Sequence, residues 1–178
     1  RRFSEHLHLS MEDTRALVCW LAATHDMGKA TPEFTCQYDR QENNEYFSAY
    51  RKRIRQAKFD LPHDLTVPDK SGVHPHNKCS QSILIHLLTD NKNVEGMPRE
   101  VAVTLASISG AHHGIPAGYF SNSLERNILI LEQLSPQWHA VWQELYDITV
   151  ERFGATSALQ QLAEHGHPIP VAVQFCIT

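Results

Sequence analysis

The sequence predicts an all-α domain, an irregular helical bundle. Apolar residues recur at three- and four-residue spacing in several segments, no run alternates convincingly at period two, and capping residues, Gly and Pro punctuate the intervals. The 178 residues are 42% hydrophobic and 20% charged. That is too apolar for a disordered chain and long enough for one core.

Ser10-Met11-Glu12-Asp13 resembles a capping box with Asp in place of the usual Glu. Leu17, Val18, Leu21 and Ala22 then form a helical apolar stripe, and Gly28 is placed to end that helix. His6 and His8 fall ahead of this first predicted helix. Thr31-Pro32-Glu33 reads as an N-cap, a first turn and an acid in that turn. Residues 44–58 read as a polar helix, and residues 60–75, with Pro62, Pro68, Gly72 and Pro75, as a loop. Further helices are expected at 76–89, 99–110, 122–134, 137–153 and 155–165. In the first of these, Ile83, Leu84, Leu87 and Leu88 share a face. Pro136 marks a start and Gly154 a C-terminal cap. The apolar run Val171–Ile177 reads as a buried helix in preference to a strand.

Several classes are excluded. The longest unbroken apolar stretch, Ala16 to Ala23, is too short to span a membrane, and the first residues hold no apolar signal core. The four cysteines at 19, 36, 79 and 176 form no C-x-x-C pair, which argues against a zinc ribbon or a disulfide scaffold. A reduced, cytoplasmic protein with Cys19 and Cys79 in core packing is the simple reading. The net charge of −4 gives no global attraction to nucleic acid, but the charge is uneven. Residues 99–178 carry Arg99, Arg126 and Arg152 and no Lys. The basic run Arg51, Lys52, Arg53 and Arg55, with Lys58 behind it, suits either a phosphate backbone or a solvated helix face.

Histidine is over-represented, with 12 residues. Three clusters fall at predicted element boundaries: His25-Asp26, His74-Pro75-His76 and His112-His113. A two-metal hydrolytic site holds its ions about 3.5–4 Å apart, a separation that one carboxylate bridges through its two oxygens. Asp26 is the acid beside these clusters. Imidazole with carboxylate suits iron, nickel, cobalt, manganese or zinc better than calcium. Lys29 lies three residues beyond Asp26, where it can meet a substrate phosphate as a point charge. A lone His-Asp or His-His pair is a weak signal; three clusters in sequence carry more. His6, His8, His63, His86, His139, His165 and His167 lack such a context and are read as surface or hydrogen-bonded residues.

The run His25-Asp26-Met27-Gly28-Lys29-Ala30-Thr31-Pro32-Glu33-Phe34 resembles the signature of the HD-type nuclease domains of type I CRISPR interference. His76-Asn77-Lys78-Cys79-Ser80 is similar to the family's His followed four residues later by Ser. Gly110-Ala111-His112-His113-Gly114 is similar to its paired histidines. The resemblance spans residues 10–178. It implies an HD-domain helical bundle over 1–178, a fragment lacking the family's first helix and C-terminal part. It also implies up to two divalent transition-metal ions (iron, nickel, cobalt or manganese, with magnesium or zinc as further options). One ion would take Asp26, His76, His112 and His113. The second would take His25 and Asp26, together with an early His and a late Asp that this sequence does not supply. Those two ligands lie outside the chain, or the second site is degraded.

The implied activity is metal-dependent cleavage of single-stranded DNA displaced by a Cascade-type surveillance complex, with a helicase fused or separate. Asp26 and Lys29 would act in catalysis. A non-catalytic docking module for that complex and an HD nucleotide phosphohydrolase are the alternatives.

Overall fold

The computed structural model describes residues 2–35, 45–61, 75–112 and 131–170, and every structural statement below concerns these. Residues 76–89 (α5, His76–Thr89) form the helix on which the others are organised. Pro75 precedes it in extended geometry, φ −53° and ψ 135°, and fixes where it begins. Ile83, Leu84, Leu87 and Leu88 are buried as the apolar spacing demands, and so are Cys79, Ser80, Gln81, Ser82 and Ile85. A helix buried nearly all round lies inside a bundle rather than on its surface.

Its main partner is α6 (Arg99–Gly110), where Val101 to Gly110 are all buried. The two helices run antiparallel, since Asn77 bonds to Gly110 and Gln81 bonds to Ser107. These polar contacts lie at one end of the helix pair. Leu84 and Leu88 of α5, with Val101 and Leu105 of α6, belong to the apolar core. Each such side chain contributes about 1.5–3 kcal/mol by leaving water.

A second layer closes over this pair. It comprises α1 (Arg2–Leu7), α2 (Met11–Thr24), α7 (Pro136–Phe153) and α8 (Thr156–His165). Ser10 caps α2 as its sequence predicts: its hydroxyl accepts from the Asp13 amide at 2.9 Å and donates to the Asp13 carboxylate at 2.7 Å. Gln161 of α8 donates to the same carboxylate at 3.0 Å, which ties the two helices. Bonds from Ser10, Gln161 and Ser157 hold the Asp13 carboxyl below its ordinary value. Trp20 of α2 meets Tyr146 of α7 edge to face, with ring centroids 6.0 Å apart. Pro136 stands in the first turn of α7, and Gly154 ends it in left-handed geometry, φ 66°.

The remaining elements are a 3₁₀ turn at Met27–Lys29, α3 (Pro32–Thr35) and α4 (Glu45–Gln56). The expected helices near 44–58, 76–89, 99–110, 137–153 and 155–165 are therefore all present. The expected helix at 122–134 lies outside the described residues apart from a helical end at 131–132, the expected loop at 60–75 apart from residues 60, 61 and 75, and the run at 171–177 entirely. Cys79 is buried and Cys19 partly so, both as free thiols. No helix of the described residues is long and apolar enough to cross a membrane.

His6 lies ahead of α2, as expected, and within a further six-residue helix, α1, that the sequence did not indicate. One expectation is corrected. Gly28 does not cap α2. That helix ends at Thr24, its C-cap His25 stays right-handed, and Gly28 sits inside the 3₁₀ turn. A Cβ on Gly28 would come within 1.9 Å of the His76 carbonyl oxygen, so glycine is required by close packing on α5.

Candidate metal centre

The site forms where three element ends meet: the exit of α2, the first turn of α5 and the exit of α6. His25 is the last residue to follow the α2 path. Asp26 then turns to φ −102°, ψ 11°, the sparsely populated bridge region. That change of direction brings adjacent side chains together, with His25 Nε2 3.2 Å from Asp26 Oδ2. Lys29 returns over the 3₁₀ turn and places Nζ 2.7 Å from the same oxygen.

The other carboxylate oxygen faces a different pair. His76 Nε2 is 3.3 Å from Asp26 Oδ1, and His112 Nε2 is 3.7 Å from it. The two Nε2 atoms are 3.3 Å from each other. The Asp26 carboxylate thus divides its oxygens between His25 with Lys29 on one side and His76 with His112 on the other.

The ring tautomers follow from the backbone. His112 Nδ1 lies 2.9 Å from the Ser109 carbonyl, and His25 Nδ1 lies 2.6 Å from the Ala22 carbonyl. A carbonyl only accepts, so each Nδ1 carries a proton, and each ring, when neutral, offers its Nε2 lone pair toward Asp26. This is how metal-ligating histidines are commonly oriented. Among the described residues, Asp26, His76 and His112 form a group whose donor atoms all lie within 4.8 Å of one another. Donors about 3.3 Å apart are what a single ion with bonds of roughly 2.0–2.1 Å spans in tetrahedral geometry. The residues present therefore fit a transition-metal ion.

Burial raises the Asp26 carboxyl, but the Lys29 hydrogen bond and the charges of His25, Lys29 and His76 outweigh it. The net effect holds the group below the usual carboxylate range, so it is ionised at neutral pH.

Supporting contacts hold the cluster. The Gly28 amide donates to Ser80 Oγ at 2.8 Å, and that hydroxyl donates to the His76 carbonyl at 3.0 Å. This gives a physical reason for a Ser four residues after His76. Trp142 Nε1 donates to the Ala30 carbonyl at 2.7 Å and fixes the turn from the α7 side. The Phe34 ring stands edge to face with His76, centroids 5.6 Å apart, and lies 5.7 Å from Lys29 Nζ.

Five sequence candidates thus converge: His25, Asp26, Lys29, His76 and His112. His113 lies outside the described residues. His8 meets the His165 ring of α8, at 6.2 Å between centroids, instead of the cluster. The basic candidates Lys52, Arg53, Arg55 and Lys58 are exposed on or just after α4, with Arg51 partly so. Arg51, Lys52 and Arg55 line an open depression with Ser48 and Gln56. Trp142 and Asn77 were given no role from sequence, and only the carbonyls they meet reveal them, whereas Phe34 stood at the end of the signature run.

A helical domain in which an HD pair meets histidines from two further helix ends has the arrangement of an HD domain. The family described as "Cas3, HD domain" matches residues 1–178, and the chain belongs to it, a family of CRISPR-associated HD nucleases. The chain is 27% identical over 153 residues to the CRISPR-associated endonuclease/helicase Cas3 of Thermus thermophilus. That match covers 86% of this chain and 14% of the relative. A solved structure titled "Crystal structure of CRISPR-associated protein" shares the fold with a TM-score of 0.60 and 22% identity, over 93% of this chain and 18% of that one. The chain therefore spans less than a fifth of either relative's length.

Proposed function

We propose that this domain is a metal-dependent nuclease that cleaves single-stranded DNA, and that it acts on the strand exposed during type I CRISPR interference. The division of the Asp26 carboxylate between two sets of nitrogen donors is the observation that supports this reading most. Asp26 would bridge two ions. His76 and His112, with His113, would complete one site, and His25 would serve the other. Divalent ions held there would acidify a bound water and neutralise charge on the phosphodiester.

The chain's own residues do the rest. The Ser109 and Ala22 carbonyls keep His112 and His25 in the tautomer that presents Nε2. Lys29, held on Asp26 Oδ2, would swing toward a non-bridging phosphate oxygen as charge grows there. The exposed basic groups of α4 and Lys58 would guide the strand backbone. The relative's name, endonuclease/helicase, supports a helicase as the source of that strand, fused or separate. A Cascade-type surveillance complex would act upstream of it. A cytoplasmic location follows from that role.

The test is cleavage of linear single-stranded DNA with manganese, nickel or cobalt added, by the parent chain and by Asp26→Ala, alongside metal stoichiometry. Cleavage and bound metal both lost in the variant are the expected result. Equal cleavage by both proteins would remove Asp26 from the chemistry. Stronger inhibition by free nucleotides than by unlabelled single strands would favour a nucleotide phosphohydrolase.

A further inference from the structure

The first turn of α5 is held on two sides. On one side Gly28 lies against the His76 backbone, with Ser80 as the polar tie. On the other side stands an interaction that no metal ligand makes. Asn77, the residue after His76, is buried, and its Nδ2 donates to the Gly110 carbonyl at 3.0 Å. Gly110 is the last residue of α6, two before His112.

This is also a point of tight approach between α5 and α6. A Cβ on Gly110 would lie 3.0 Å from Gln81 Cβ and 3.2 Å from the Asn77 carbonyl oxygen, tighter than side chains normally pack. The absence of a side chain at Gly110 and the amide of Asn77 thus act on one point. The glycine lets the helix ends approach, and the amide fixes how near they come. His76 and His112 project from either side of that point, with Nε2 atoms 3.3 Å apart.

We infer that Asn77 is a positioning residue for metal binding: its bond to the Gly110 carbonyl sets the separation of His76 and His112. Asn77 touches neither ion nor substrate and acts through those two rings. The inference rests on the metal-site reading above and adds to it a residue outside the ligand set. A metal donor pair tolerates little error, because bond lengths for first-row ions vary by only about 0.2 Å in well-formed sites.

The experiment uses cobalt(II) as the probe, read by the intensity and position of its visible ligand-field bands. Titrations are run far below the unfolding temperature on the parent chain, Asn77→Ala, Gly110→Ala and the control Asn93→Ala. Asn93 donates to the Leu87 carbonyl and to Gln143 at the far end of α5, so its loss costs comparable polar contacts away from the site. Asn77→Ala and Gly110→Ala should each weaken cobalt binding about tenfold, the lower range for residues just outside a ligand set, and alter the band pattern. Asn93→Ala should bind like the parent even where its Tm falls. Parent-like affinity and spectrum in Asn77→Ala would overturn the inference, as would an equal loss in Asn93→Ala. Absence of cobalt binding by the parent itself would instead overturn the metal-site reading beneath it.

Discussion

Replacing Gly28 with alanine tests the close approach on which the centre is built. The new Cβ would lie 1.9 Å from the His76 oxygen, 2.6 Å from the Ser80 nitrogen and 2.8 Å from the His76 carbonyl carbon. All three are backbone atoms, so no flexible side chain can step aside. Reaching a separation of roughly 3.0 Å requires about 1.1 Å of relative movement between the 3₁₀ turn and α5. Overpacking of this kind costs about 1–3 kcal/mol. The same movement strains the buried Gly28–Ser80 hydrogen bond, worth about 1 kcal/mol more. A loss of about 2–4 kcal/mol lowers the Tm of a protein this size by roughly 5–15 °C. Denaturant unfolding and calorimetry measure that loss, and cobalt titration measures the displacement of His76. A variant within about 0.5 kcal/mol of the parent, with unchanged cobalt affinity, would refute the packing argument.

Other substitutions probe separate links. Ser10→Ala removes the α2 cap and should cost about 1 kcal/mol, read by urea unfolding, with no change in bound metal. Trp142→Phe removes one ring of a fully buried indole, which opens a cavity and leaves the Ala30 carbonyl without its donor. It should cost about 2–4 kcal/mol and lower metal affinity less than His112→Ala does. His139 on α7 titrates below the ordinary histidine value, because burial and then the facing His86 oppose its charge, with Lys92 adding to this and Asp90 near His86. The folded state thus resists a proton that the unfolded chain accepts. Stability should decline as pH falls from about 6.5 toward the lower folded value, and His139→Gln should flatten that decline in Tm. An unchanged slope in the variant would remove His139 as its source.

Much of this architecture was legible because local signals and burial agree. Pro75 and Pro98 stand immediately before α5 and α6, and the apolar content of both segments matches their near-complete burial. The helix α1 gave no comparable signal: six residues are too few for a periodic stripe. Gly28 is misleading because a glycine after a helical run carries the same sequence signature whether it caps the helix or makes room for a neighbour. The neighbour here lies about fifty residues away in sequence, on α5. Asp26, His25, His76 and His112 were legible through their family resemblance and their positions at element ends. Asn77 and Gln81 were not, since polar residues early in a helix ordinarily read as a solvated face. Their partners, Gly110 and Ser107, belong to another helix and have no local sequence relation to them.

The contact between Lys29 and Asp26 has a consequence for the order in which the protein matures. The Asp26 carboxylate already has an ammonium against one of its oxygens and imidazoles around the other. The folded domain therefore does not face a bare, self-repelling cluster of anions before any ion arrives. Small zinc modules collapse when a chelator strips them, because their ions supply the folding energy. This domain carries its own resident cation beside a large apolar core. A domain so arranged should complete its fold before any ion arrives, and retention of its helical circular-dichroism signal and cooperative unfolding in a chelator is the measurement that checks this.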